Sequence, residues 1–413
     1  MISYAEHTLS NGLRVIAHRD PTSRMAAINL LYRVGARNEN PNRTGFAHLF
    51  EHLMFRGTHD IPDFDTPVQM ASGDNNAFTN NDYTDYYITL PKDNIETALW
   101  LEADRMMGLE ISAEKLEAEK KVVIEEYKQR YLNQPYGDQW LLLRALCYKV
   151  HPYRWATIGL TPDHVRDATL DEVEAFYHRF YLPGNAILSV ACDLDPDTVF
   201  RLAEKWFGEI KGSSLSSATF DPEPEQTAAR REIVVRDVPA TAITIAFPTG
   251  ARLSRNFYLS DVISDLLAGG SSARLYQHLV KERQLFSAIN AYITGDLDPG
   301  LFVVTGQLHP EIPTQRGEEA IWQELQDLAS TMPTDYELEK VKNKFEAETI
   351  FGEINVMNKA MNLGFYDLTG DLPLINREVE IFRSISAQEV STAAAEMFRP
   401  ERSNTLIYEI GKA

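Results

Sequence analysis

The chain has 413 residues, 44% of them apolar, and a net charge of −20. Its length exceeds what one hydrophobic core organises and points to two or more domains. The acidic balance argues against nucleic acid as a partner, which needs a basic footprint. The two cysteines, Cys147 and Cys192, provide neither a disulfide framework nor a sulfur-ligated metal site.

The first residues, Met1-Ile-Ser-Tyr-Ala-Glu-His7, carry no basic n-region or apolar h-region, and no apolar run reaches transmembrane length. A soluble cytoplasmic protein is expected, or a periplasmic one if a leader has been removed. Asn11-Gly12 between two alternating stretches signals a β-hairpin. A buried strand at 26–34 leads to Gly35-Ala-Arg37 and then to the stretch 44–58. That stretch holds His48, Glu51 and His52 in the order H-x-x-E-H. Thr44 is the expected N-cap of a helix here. Phe46, Leu49, Phe50, Leu53 and Met54 fall at helical spacing, and Gly57 can end the element.

Residues three and four apart share a helix face, so the two imidazoles can hold a zinc ion at ~2.0–2.1 Å each, with the carboxylate beside it. Zinc acidifies its water and a neighbouring carboxylate takes the proton. A polar helix face would use the same residue types, and a metal site needs a third protein ligand.

Residues 76–79 and 86–90 read as strands, followed by amphipathic helices at 96–107 and 113–131. In the second of these, Glu119 and Glu126 stand seven apart, two turns along one face. Glu125 is the adjacent alternative, in a run charged enough to be a solvated surface. A helix at 171–180, a strand at 186–191 and a helix at 196–207 complete the first half.

Residues 211–226 cluster Ser, Gly and Pro without periodicity. The expected division is 1–212, a linker at 213–230, and 231–413. The halves read as copies. Gly35-Ala-Arg37 recurs as Gly250-Ala-Arg252, and Glu96-Thr-Ala-Leu-Trp100 as Glu318-Glu-Ala-Ile-Trp322. Thr169-Leu-Asp-Glu-Val173 recurs as Ser386-Ala-Gln-Glu-Val390, and Phe180-Tyr-Leu-Pro183 as Met397-Phe-Arg-Pro400. Matches in one order at nearly constant offset indicate a duplication. The first offset, 215, places Ile263, Leu266 and Leu267 opposite His48, Glu51 and His52. Alternating strands and helices in each copy predict α+β units with mainly antiparallel sheets.

His48-x-x-Glu51-His52 followed by Glu119-x6-Glu126, with Asn76-Ala-Phe-Thr79 and Asp82-Tyr-Thr-Asp-Tyr-Tyr87 between them, resembles the pitrilysin, insulysin and mitochondrial processing peptidase family of inverted zinc peptidases. The resemblance runs from Ser10-Asn-Gly-Leu-Arg-Val15 to the C-terminus. It implies one zinc per chain held by His48, His52 and Glu126, with Glu51 as catalytic base. Glu119 becomes the carboxylate that orients a ligand. Asn76, Ala77, Phe78 and Thr79 become the edge strand that pairs with an extended peptide. The implied fold is two homologous domains, each a mainly antiparallel sheet with helices on one face.

The second half departs from that family. There an Arg and a Tyr seven apart, following a G-G-S-S-R-L-like turn, contact the substrate carbonyl. Here the turn stands as Leu267-Ala-Gly-Gly-Ser-Ser-Ala-Arg-Leu-Tyr276, but Val280 and Ser287 occupy the two positions, and Arg283 has Asn290 at spacing seven. Two functions follow for comparison. One is a zinc endopeptidase subunit that takes these contacts from a homologous partner chain, in a heterodimer or homodimer. The other is a catalytically silent scaffold or assembly subunit of a peptidase complex.

Overall fold

A computed structural model describes residues 1–212 and 219–411, so the first part of the linker, 213–218, lies outside the described residues. In chain order the principal elements of the first half are β1 (Ala5–Thr8), β2 (Arg14–Arg19), β3 (Met25–Tyr32), α1 (Phe46–Leu53), β4 (Asp74–Thr79), β5 (Thr84–Pro91), α2 (Ile95–Met107), α3 (Ala113–Tyr127), α4 (Gln139–Cys147), α5 (Leu170–Phe180), β6 (Ala186–Cys192) and α6 (Pro196–Phe207). The second half supplies β7 (Arg230–Arg236), β8 (Ala242–Pro248), α7 (Arg255–Ala268), β9 (Phe286–Ile293), β10 (Leu301–Leu308), α8 (Thr314–Ser330), α9 (Asp335–Gly352), α10 (Val356–Thr369), α11 (Ala387–Met397) and β11 (Asn404–Ile410). The expected hairpin is β1–β2, with Gly12 at φ 92° in the left-handed turn that a side chain would resist.

The strands form two sheets, ordered β1-β2-β6-β3-β5-β4 and β7-β11-β8-β10-β9. Each is antiparallel apart from one parallel pair, β2–β6 in the first and β7–β11 in the second. The ladders carry the duplication further than the sequence matches did. Leu30 pairs with Tyr86 and Tyr86 with Ala77, while Ile245 pairs with Val304 and Val304 with Ala291. Asn76-Ala77-Phe78 thus stands where the second copy has Asn290-Ala291-Tyr292. In both, the Ala N–H donates to the preceding Asn Oδ1, at 2.8 and 2.9 Å.

The first sheet is built within residues 1–212 and the second from Arg230 onward, yet the compact units differ from that division by two exchanged segments. Unit 1 comprises Met1–Lys128, Trp155–Phe220 and Ile350–Arg377; unit 2 comprises Gln129–Arg154, Asp221–Thr349 and Glu378–Ala413.

In unit 1, one sheet face carries α1 and α5, where Phe50 stacks on Phe176 at 5.1 Å and Tyr32 meets Tyr181 at 4.7 Å. The other face takes α10 from the second half of the chain. Val356 and Ala360 pack on Ala27 and Ala191. A Cβ at Gly364 would come within 3.0 Å of Asn29 Nδ2 and Ser189 Oγ, so glycine is needed for the close approach. Lys359 reaches buried Asp20 at 2.7 Å.

In unit 2 the exchange runs the other way. Leu143 and Cys147 of α4 join a cluster with Ala246, Val303 and Leu406 of the second sheet. The opposite face packs α7, whose Ile263, Leu266 and Leu267 are buried among Ile243, Ile245 and Phe247. No helix among the described residues is long and apolar enough to cross a membrane.

Candidate metal centre

The helix α1 buries Phe46, Ala47, Leu49, Phe50 and Leu53, which fixes its opposite face toward α3 and β4. Thr44 does not cap it, contrary to the sequence reading. Gly45 takes the N-cap position at φ 90°, and Thr44 Oγ1 instead accepts the Leu160 N–H at 2.8 Å and meets His164 Nδ1 at 2.8 Å. The first helical N–H groups go to the buried Glu39 carboxylate, from Gly45 and Ala47 at 2.8 Å each. A carboxylate complements the positive end of a helix. Burial pushes the Glu39 pKa up to about 8, with those N–H groups pulling the other way. Glu39 precedes the helix by a loop and carried no pattern that would have singled it out.

His48 Nε2 lies 3.0 Å from Glu126 Oε2, and His52 Nε2 lies 3.5 Å from the same oxygen. The three ligand atoms sit within 4.8 Å of one another. A tetrahedral shell with ~2.0–2.1 Å bonds holds its donor atoms about 3.3 Å apart, so this imidazole–imidazole–carboxylate set has the spacing and chemistry that zinc accepts. Glu125, the alternative left open by the sequence, turns outward to Lys128 Nζ at 2.5 Å.

Ser112 caps α3 by accepting the Lys115 N–H, and the helix aims Glu119 and Glu126 the same way. Glu119 is buried, with Oε2 3.3 Å from His52 Nδ1, and its other oxygen is paired with the Arg56 guanidinium. The far side of the His52 ring is therefore held while its Nε2 faces the centre, an arrangement that fixes ligand orientation. Arg56 follows α1 in the stretch 44–58 and was not singled out from the sequence. Glu51 stands outside the convergent set, with Oε2 3.5 Å from His48 Nδ1.

The electrostatics follow from these contacts. Burial opposes charge on both imidazoles, yet Glu126 and Glu51 raise the His48 pKa, and Glu119 and Glu126 push His52 up to about 9. The two histidines hold Glu126 well below the ordinary carboxylate range. Burial works against ionising Glu51, but His48 and the Thr79 hydroxyl bring its pKa down. Glu119 is likewise lowered, against burial, by His52 and Arg56.

The predicted substrate segment is β4, the outermost strand of its sheet and a neighbour of α1. Asn76 is exposed, Ala77 buried, and Phe78 and Thr79 half-buried. The Thr79 hydroxyl is buried beside Glu51. In unit 2, Val280 packs against the hydrophobic core, Ser287 Oγ donates to the Gln307 carbonyl at 3.2 Å, and Arg283 is exposed. The first two present no cationic or phenolic donor.

Two family profiles match the chain, one described as insulinase (peptidase family M16) over residues 14–143 and one as the peptidase M16 inactive domain over residues 167–345. Zinc protease PqqE of Helicobacter pylori is 28% identical over 405 residues, covering 97% of this chain and 91% of that protein. A Bacillus subtilis protein, described as the uncharacterized zinc protease YmxG, is 24% identical over 408 residues, covering 98% of each. The crystal structure of a protease from Helicobacter pylori aligns with a TM-score of 0.94 at 28% identity, over 99% of this chain and 100% of that one. A Pseudomonas fluorescens structure, described as a peptidase M16 inactive domain, shares the fold with a TM-score of 0.88 at 18% identity, over 100% of this chain and 98% of that one. Matched in both halves and along nearly its whole length, the chain belongs to the M16, insulinase, family of peptidases.

Proposed function

We propose that this chain is the zinc-bearing subunit of an endopeptidase, one zinc per chain, with His48, His52 and Glu126 as ligands. The observation that carries the reading is the convergence of His48 Nε2, His52 Nε2 and Glu126 Oε2 beside a carboxylate, Glu51, that stands outside the ligand set. Zinc bound there supplies Lewis acidity and acidifies a water. Glu51, ionised at neutral pH, receives the proton on its carboxylate and passes it toward the leaving amine. Glu119, itself held by Arg56, keeps the His52 ring turned inward. An extended peptide adds to β4 through main-chain hydrogen bonds, which favours unfolded segments over folded proteins and demands little of the side chains.

Metal analysis of the purified chain tests this most directly. One zinc per chain is expected, lost in His48→Ala and in Glu126→Gln, since each removes a direct bond to the ion. Stoichiometric zinc in Glu126→Gln would reassign the third ligand. Arg56→Ala should weaken zinc affinity about tenfold, the lower end of the effect of groups that orient ligands, and Arg56→Lys should recover most of it. Chelator competition reads both, and an unchanged affinity in Arg56→Ala would remove Arg56 from the support of the site.

The second reading, a silent scaffold, draws on Val280 and Ser287. Such a protein would take up zinc and cleave nothing in any company.

A further inference from the structure

The two sheets differ at one edge. In unit 1 the outer edge of β2 is filled by β1, running antiparallel, and its face is covered by α6; Val15 and Ala17 are buried there. The corresponding strand of unit 2 is β7, parallel to β11 as β2 is to β6. Among the described residues nothing pairs with its outer edge, and Ile233 and Val235 are 50% and 58% exposed.

The Arg230 N–H donates to the Ser403 carbonyl and the Arg236 carbonyl accepts from Gly411, so the even-numbered residues spend their backbone groups on β11. A strand residue points its N–H and C=O to one side, alternating along the chain. The groups of Arg231, Ile233 and Val235 therefore point out of the sheet. An open edge of this kind is a template for another strand.

We propose that β7 pairs antiparallel with β7 of a second copy of this chain, about a two-fold axis at Val234. The strand is self-complementary in that register. Ile233 falls opposite Val235 of the second copy and Glu232 opposite Arg236, so opposite charges meet on either side of the axis. Arg231, held by Glu318 of its own chain at 2.7 Å, falls opposite Asp237, and Arg230 opposite Val238 at the margin. Each Ile233–Val235 pair exchanges both backbone hydrogen bonds through the outward-facing groups. A slip of two residues one way sets Arg230 against Arg236; a slip the other way sets Asp237 against Ile233 and Glu232 against Val238. The chemistry selects one register and joins two five-stranded sheets into one continuous sheet. The contact is smaller than a standard stable interface, so the dimer should dissociate on dilution. It involves no residue of the metal centre.

Sedimentation of the full chain across the micromolar range tests the pairing. The wild type should associate reversibly. Glu232→Arg alone and Arg236→Glu alone should each weaken self-association by about tenfold or more, because like charges then face each other across the axis. An equimolar mixture of the two should associate as the wild type does, since Arg then faces Glu at every such position. Arg236 also contacts Asp138 of its own chain at 3.1 Å, and recovery in the mixture separates that loss from the pairing. Val235→Pro removes an outward N–H, a change an edge strand tolerates, and should abolish association. A wild type monomeric throughout the range would overturn the proposal. So would a dimer indifferent to Val235→Pro, or one that the mixed variants fail to restore. Zinc content should be unchanged in all of them, which keeps this outcome independent of the metal reading.

Discussion

Glu51→Gln should retain zinc and the native fold while peptide turnover falls by about two to four orders of magnitude, the usual contribution of a positioned general base. The expectation rests on where Glu51 stands. It lies on the same face of α1 as His48 and His52 but outside the three atoms that converge. Its carboxylate is held in the charged form, against its burial, by His48 and Thr79. Glutamine keeps the size and one acceptor oxygen but cannot take up the proton. Metal content, circular dichroism and kcat on one preparation make the comparison. Zinc and activity lost together would recast Glu51 as a ligand or a structural residue.

The second large effect concerns a partner. Peptide hydrolysis builds negative charge on the carbonyl oxygen, and losing one oriented donor there costs about two to three orders of magnitude. Unit 1 gathers a full set of candidate ligands with a base, whereas unit 2 has Val280 in its core and Ser287 bonded to Gln307 at the positions where the family resemblance expects donors. The chain alone should therefore bind zinc and cleave peptides weakly. Addition of a homologous chain carrying an Arg and a Tyr seven apart should raise kcat by a similar two to three orders, and replacing that Arg or Tyr should cancel the rise. Full activity from this chain purified to homogeneity would sink the idea and turn attention to the exposed Arg283.

Much of this was legible in the chain because it was periodic. The spacing of His48, Glu51 and His52 put three polar groups on one helix face, and the apolar residues between them set which face was buried. The seven-residue spacing of Glu119 and Glu126 placed both on one face of α3, but spacing could not separate Glu126 from Glu125. That depended on which carboxylate the fold turns toward α1 and which toward Lys128. Glu39 and Arg56 could not be read at all: Glu39 meets backbone N–H groups across a loop, which no side-chain pattern marks, and Arg56 meets a carboxylate on another helix. Thr44 has the chemistry of an N-cap, but a bond to Leu160 outcompeted that role. The repeat at Asn290-Ala291-Tyr292 was present as letters, and only the strand ladders put it in register. The exchanged helices were invisible for a different reason. α10 docks through small residues, Ala360 and Gly364 against Ala27, Ala191 and Ser189, contacts that leave no hydrophobic period to detect. Nothing in the apolar residues of α4, Leu143 and Cys147, tells which sheet they cover.

That exchange bears on how the polypeptide can be divided. A cut in the linker would give fragments that each lack the helix covering one face of their own sheet and carry a helix fitted to the other's. Separated, the N-terminal piece would bare the alanine-lined face where α10 lies, and the C-terminal piece the Val303 and Leu406 face where α4 lies. The halves of this duplicated chain, although each is a copy of the same fold, are thus no longer autonomous. A nicked molecule should hold together as a non-covalent pair, and neither fragment is a sound target for expression by itself.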